Sequence, residues 1–393
     1  MSRRSEGRED RARSTTALVL AGGGARAAYQ VGVLKAIAKM RAPDSANPFP
    51  IICGASAGAI NATALAIYAG NFQEAVARVL RVWGNFSVDQ VFRSDFLGLS
   101  KSAAHWLAAM MLGGLGRYNP ASLLNREPLV ELLGKHLPCE AIKASLESGS
   151  LRALSVTASG YTSGQSVTFY QSRERIAPWH RVRRVGCPAE ITIDHLMASS
   201  AIPLVFEAVK INREYFGDGS MRLVAPISPA LHLGADRVLV IGLSGDNGEP
   251  HRREITMGYP SMAQIAGHVL NSIFLDSMQV DIERVERINR TLELVPKRQL
   301  SSSDVALRPV DVLTVSPSRD IGRMAGDYAH RLPRSLRFFL RGIGAMGTKG
   351  SSLLSYLMFE RGYCRELIAL GYNDALRRKD ELMAFFEPPG RAR

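Results

Sequence analysis

The 393-residue chain has little cysteine, a shortage of acidic residues and no long apolar run. Its four cysteines, Cys53, Cys139, Cys187 and Cys364, are scattered without paired spacing. That excludes a disulfide-built secreted scaffold and suits a reducing compartment. No segment approaches the roughly eighteen apolar residues of a membrane-spanning helix. Also absent are a Cys/His cluster with zinc spacing, a His-Glu-x-x-His motif and an EF-hand loop, so no metal or other cofactor is expected. No Gly-Lys-Ser/Thr follows either glycine group, which excludes a Walker-type phosphate loop. No internal repeat or long low-complexity tract is visible.

Acidic residues number 36 against 49 Lys and Arg, a net charge of +13. An anionic partner is therefore expected. No zinc-finger, RNA-recognition or basic-zipper pattern accompanies the charge, so nucleic acid is not the expected partner. An anionic membrane surface is. Arg173, Arg175, Arg181, Arg183 and Arg184 cluster around Trp179. Arg334, Arg337 and Arg341 share a helical face nearly opposite Leu332, Leu336, Phe339 and Ile343. That second segment reads either as a membrane-surface helix or as an ordinary helix packed on the domain beside it. Residues 1–14 are charged and polar, and no hydrophobic stretch follows Ser2-Arg3-Arg4. They read as a disordered basic tail on a cytoplasmic protein with peripheral contact at the inner membrane face.

The informative positive feature is Gly54-Ala55-Ser56-Ala57-Gly58. It lies between a strand-like run, Phe49 to Cys53, and an apolar helix-like run, Ala59 to Ala69. A serine at such a strand-to-helix turn sits in a tight bend, and flanking glycines let strand and helix approach. The hydroxyl then lies beside free helix N–H groups that favour negative charge. Ser56 is the best candidate nucleophile in the chain. The bland alternative is a small-residue helix start packed on a sheet.

A second cluster, Ala21-Gly22-Gly23-Gly24-Ala25-Arg26, follows the strand-like run Thr16 to Leu20. Tyr29, Val33, Ile37 and Met40 continue it on one helical face. Successive glycines leave N–H groups uncovered, as an oxyanion cradle requires. A dinucleotide site fits poorly: the acidic residue expected on a second strand is missing, and Asp44 lies in a loop. Downstream, Gly217-Asp218-Gly219 could bring a carboxylate against another backbone, although an Asp-Gly pair also makes a plain turn.

Residues 198–206 read Ala-Ser-Ser-Ala-Ile-Pro-Leu-Val-Phe, and a closing strand follows at 235–243. With these in view the chain resembles the patatin-like phospholipase family, bacterial type, over roughly residues 16–245. The resemblance implies a Ser56–Asp218 dyad, nucleophile and general base, with Gly22, Gly23, Gly24 and Arg26 in the oxyanion region. Gly54, Gly58 and Gly219 support the motifs. Ala27 replaces a usual glycine, and Ser220 replaces Gly or Ala. The implied activity is lipid acyl ester hydrolysis on phospholipids or lysophospholipids. Two alternatives stay open: a non-catalytic lipid-binding scaffold, and an ordinary Ser-Asp-His esterase, for which His268 is the first histidine to examine, with His195 and His232 near motif residues.

The expected fold is three-layer α/β/α with a central, mostly parallel sheet. Residues 15–245 form the catalytic domain, with an insertion at about 86–118 whose apolar stretch, Trp106 to Gly114, reads as a core helix or as a mobile lid. Residues 246–393 read as a mainly helical C-terminal extension. Within it, 262–290 and Leu353 to Ala369 are helical in pattern, and Val310 to Val315 is one further strand.

Overall fold

The computed structural model describes residues 14–93, 122–245, 259–296, 307–347 and 350–387, together with 104, 105, 108 and 111. The expected N-terminal tail, save Ser14, and most of the expected lid lie outside them. Of the insertion, residues 86–93 are described, and Phe86, Val88, Val91 and Phe92 are buried in the core.

Ten strands form one sheet among the described residues: β1 (Thr16–Leu20), β2 (Ile51–Ala55), β3 (Ala153–Gly160), β4 (Ser166–Ser172), β5 (Trp179–Arg181), β6 (Arg184–Pro188), β7 (Val209–Ile211), β8 (Glu214–Gly217), β9 (Arg237–Ile241) and β10 (Asp311–Val315). Their order is β10-β9-β1-β2-β3-β4-β6-β5, with β8 on the end of β3 and β7 on β8. From β10 to β3 every neighbouring pair is parallel. The central strands are buried on both faces, which explains their unbroken apolar runs.

Helix α1 (Ala28–Met40) links β1 to β2, and α2 (Ala57–Ile67) leaves β2 directly. Then come α3 (Phe72–Trp83), α4 (Glu127–His136), α5 (Ala141–Glu147), α6 (Ile193–Ser199) and α7 (Ser228–His232). A nearly continuous helix follows: α8 (Met262–Asn271), a wider π turn at Ser272–Asp276, and α9 (Ser277–Glu293). The chain ends in α10 (Ile321–Tyr328), α11 (Arg334–Gly342), α12 (Ser351–Leu357), α13 (Arg361–Arg377) and α14 (Lys379–Phe386). The α2 layer packs on one sheet face, where a Cβ at Gly54 would stand 2.5 Å from the Gly58 carbonyl oxygen. Met278 of α9 lies on the other face with Val19, Cys53 and Thr157. The three-layer expectation is met.

The expected boundary at residue 245 falls inside the fold. Strand β10 extends the sheet, pairing Asp311 with Arg237 and Val315 with Ile241. Helix α13 lies so close to α1 that a Cβ at Gly32 would stand 2.1 Å from the Ile368 carbonyl oxygen, and one at Gly371 2.2 Å from that of Tyr29. Residues beyond 245 are thus part of the same core. In α11, Leu336 and Leu340 are buried while Ile343 is exposed, so the helix packs much of its apolar side inward.

Candidate active site

Ser56 caps the first turn of α2 with φ 53° and ψ −133°, a conformation that non-glycine residues rarely adopt. Such a backbone costs about 1–3 kcal/mol and persists only where its surroundings fix it. Here small neighbours fix it. A Cβ at Gly58 would stand 2.3 Å from the Leu20 carbonyl oxygen, so only glycine lets α2 seat on β1. The Ser56 N–H donates to Ser199 Oγ at 2.9 Å, and Ser199 Oγ–H donates to the Thr157 carbonyl at 2.6 Å. The side chain is nearly buried.

Asp218 follows β8 and is fully buried. Its N–H donates to the Ala201 carbonyl at 2.8 Å, and its Oδ1 accepts the Ser220 N–H at 2.9 Å. Gly219 presses on β3: a Cβ there would stand 1.9 Å from the Thr157 oxygen and 3.3 Å from Ser199 Oγ. Both halves of the expected pair therefore rest on the same two groups, Thr157 and Ser199. Burial pushes the Asp218 carboxyl up to about 7. Hydrogen bonding from the Ser56 hydroxyl, the Ser220 N–H and hydroxyl, and the charge of Arg126 pull it partly back. Oδ2 nonetheless has no partner of regular geometry, and neither has the buried Ser220 Oγ.

The glycine loop closes the third side. A Cβ at Gly22 would stand 2.3 Å from Ser220 Oγ and 2.8 Å from Ser56 Cβ, which places the loop directly over the pair. Neither Gly23 nor Gly24 donates its N–H to a backbone carbonyl among the described residues. A buried polar network ties the loop to α2. Gln30 Nε2 donates to the Ala21 carbonyl at 2.7 Å, Asn61 Nδ2 to Gln30 Oε1 at 3.0 Å, and Trp83 Nε1 to Asn61 Oδ1 at 2.7 Å.

Arg26 departs from the expectation. Its guanidinium points away from the cradle and into α12, donating from Nε to Ser355 Oγ at 2.7 Å and from an Nη to Ser352 Oγ at 3.2 Å. It lies 4.0 Å from the centroid of the Tyr356 ring. Gly24, with φ 55°, meets the same helix: a Cβ there would stand 2.2 Å from the Tyr356 carbonyl oxygen. Arg26 thus braces the loop from behind. Its buried charge faces carbonyl and hydroxyl acceptors of the C-terminal region.

Ser56 and Gly24 open into a cavity of about 330 Å³. Its walls are mostly apolar, with Ile60 and Ala64 of α2, Val79 and Trp83 of α3, Leu129 and Leu133 of α4, and Phe206 and Phe359. The spacing Ser56, Ile60, Ala64, Tyr68 shows it running along one face of α2. At 1.5 Å per residue that face is roughly 18 Å long. The singled-out histidines are engaged elsewhere. His268 is exposed on α8. His195 bonds Thr192 within its helix cap, and His232 stacks on Trp179 with ring centroids 4.7 Å apart.

Three neighbours carried no assigned role in the sequence reading. Ser199 holds the Ser56 N–H, and its signal lay in the Ala-Ser-Ser-Ala stretch. Arg126 is buried beneath Asp218, donates to the carbonyls of Met197 and Glu207, and is lowered to about 10 by burial. Phe274, from the π turn, would lie 3.0 Å from a Cβ at Gly22. No local pattern marks either of the last two. Among the described residues no group of acidic, cysteine and histidine side chains could hold a metal.

A family model described as patatin-like phospholipase matches residues 18–231. Among curated proteins there is no match. Among solved structures, VipD from Legionella pneumophila is similar at 12% identity and a TM-score of 0.37, covering 94% of this chain and 67% of that one. At that distance the likeness carries no argument about the reaction.

Proposed function

Since the chain belongs to the patatin-like phospholipase family, which implies lipid acyl hydrolase activity in general, we propose that it cleaves lipid carboxylic esters through Ser56 and Asp218. The observation that carries this reading is a strained, nearly buried serine beside a carboxylate with an unpaired oxygen, at one end of a long apolar cavity. Asp218 accepts the Ser56 hydroxyl proton as the oxygen attacks the ester carbonyl. The oxyanion rests on the N–H groups of Gly23 and Gly24, where one donor is worth about 3–4 kcal/mol. Collapse expels the alcohol, which takes the proton held by Asp218, and leaves an acyl group on Ser56. Asp218 then takes a proton from water, whose attack releases the fatty acid. The cavity along α2 holds the acyl chain, and the lipids are phospholipids or lysophospholipids at the inner membrane face.

A fluorophosphonate probe labels the wild type and not Ser56→Ala, and fatty-acid release from phospholipid vesicles disappears in the same variant. An unlabelled wild-type protein would overturn the enzymatic reading and leave a lipid-binding scaffold. His268→Ala retains activity, since that side chain is exposed on α8.

A further inference from the structure

Sheet topology decides which turns share the catalytic end of the molecule. Ser56 leaves the C-terminal end of β2, and β3 runs parallel to β2, so Gly160 lies at the same end. Strand β4 is antiparallel to β3 while β6 is parallel to β4, with Ser166 opposite Arg184. The β5–β6 turn, Val182 and Arg183, therefore projects there too. Strand β8 pairs Phe216 with Gly160, which carries the β7–β8 turn, Asn212 and Arg213, out beyond β3.

These turns are joined to one another. The Ser166 N–H donates to the Arg183 carbonyl at 2.9 Å and the Tyr161 N–H to that of Tyr215 at 3.0 Å. Gly217, adjacent to Asp218, lies under the Tyr161 ring: a Cβ there would stand 2.6 Å from its hydroxyl. The tips combine two chemistries. Val182 is 86% exposed, Tyr215 53% and Tyr161 50%. Around them Arg181, Arg183, Lys210, Arg213 and Arg222 are exposed. None of the five is paired with a carboxylate among the described residues, and the local acid, Glu214, accepts from the Ser163 N–H.

We propose that these three turns are a docking face for an anionic lipid bilayer, with Val182 and the two tyrosines entering the headgroup–acyl boundary and the cations meeting lipid phosphates. Aromatic rings and snorkelling cations suit that boundary, and anionic leaflets attract basic segments that lie at the surface. A nucleic acid or an acidic protein would satisfy the cations but leave Val182 in water. The assignment rests on the lipid-hydrolase reading, because it sets the site's own end of the sheet against its substrate phase.

The test is cosedimentation of Ser56→Ala protein with phosphatidylcholine vesicles, with and without phosphatidylglycerol. Adding Arg181→Glu, Val182→Asp, Arg183→Glu and Arg213→Glu lowers partitioning onto the anionic vesicles by at least about a hundredfold, at roughly fivefold per cation. Val182→Asp alone gives a smaller loss on both vesicle types. With Ser56 intact, the same changes leave fluorophosphonate labelling and turnover of a water-soluble short-chain ester unchanged, which also verifies folding. Arg334→Glu with Arg341→Glu on α11 leaves vesicle binding intact. Undiminished vesicle binding by the four-residue variant, loss confined to the α11 variant, or loss of oligonucleotide binding alone would overturn the proposal. A wild type that binds vesicles through these turns yet resists the probe would count against the hydrolase reading only.

Discussion

The two backbone segments that meet over the cavity are held in place by different means. The Ser56 turn is fixed largely locally: Gly54 and Gly58 lie within a few residues of it and let strand, helix and neighbouring strand close together, with one added bond to the distant Ser199 Oγ. The Gly22–Gly24 loop is fixed remotely, by Arg26 bonded to Ser352 and Ser355 and by Gly24 lying against the Tyr356 carbonyl. Local fixing makes the nucleophile's geometry inseparable from folding. Remote fixing leaves the N–H groups proposed to hold the oxyanion adjustable while the core stays intact.

The contrast breaks most visibly at Gly58. Gly58→Val places carbons within 2.3 Å of the β1 backbone, so the protein fails to fold or loses more than about 4 kcal/mol in denaturant titrations. Gly24→Ala adds a Cβ 2.2 Å from the Tyr356 carbonyl oxygen to a backbone with positive φ, so it also costs more than about 3 kcal/mol unless α12 shifts away from the loop. Its kcat falls together with its stability. Arg26→Met sharpens the distinction further. It removes the brace without touching Ser56 or Asp218, so kcat falls roughly 10–100-fold, by about 1.4–2.7 kcal/mol of barrier, while KM holds. Arg26→Lys restores part of the loss. A rise in KM alone would show that the brace acts on substrate binding instead.

The smallest effect concerns pH. Asp218 must be ionised to take a proton, and burial sets its carboxyl at about 7. Log kcat/KM therefore rises with unit slope below about pH 7 and levels above it. Arg126→Met removes a nearby positive charge that favours the ionised form, so the acid limb moves to higher pH by less than about one unit. The sign for stability is the reverse of an ordinary carboxylate's. A group whose folded pKa is raised favours the folded state most below the unfolded value near 4, and that advantage is lost as pH rises through 7. Asp218→Asn, although inactive, melts higher than the wild type at pH 8.

What the amino-acid order discloses follows the same division. Thr16–Leu20 forms the strand its composition predicts, and the turn at Ser56 lies where its glycines put it, with β2 and α2 offset by two residues. Short-range sterics write such features into adjacent letters. The strands at 311–315 and 237–241 are both visible, but their pairing is not, because parallel pairing leaves no local mark. The family resemblance places Arg26 in the oxyanion region, beside the glycines. Its acceptors lie 326 and 329 residues away, a tie that no local pattern marks. Arg126 beneath Asp218 had no pattern at all, since a single cation on a helix start resembles any surface arginine.

The span between Arg26 and Ser355 also sets a schedule. Translation at roughly 5–20 residues per second takes tens of seconds to travel from one to the other. During that interval the Ser56 turn has its neighbours on β1, β2 and β3, while the glycine loop has its tie through Gln30 and Asn61 but lacks the Arg26 brace. On the proposed mechanism, the chain would carry its serine turn before the support for its glycine loop, and activity would wait until α12 has been made.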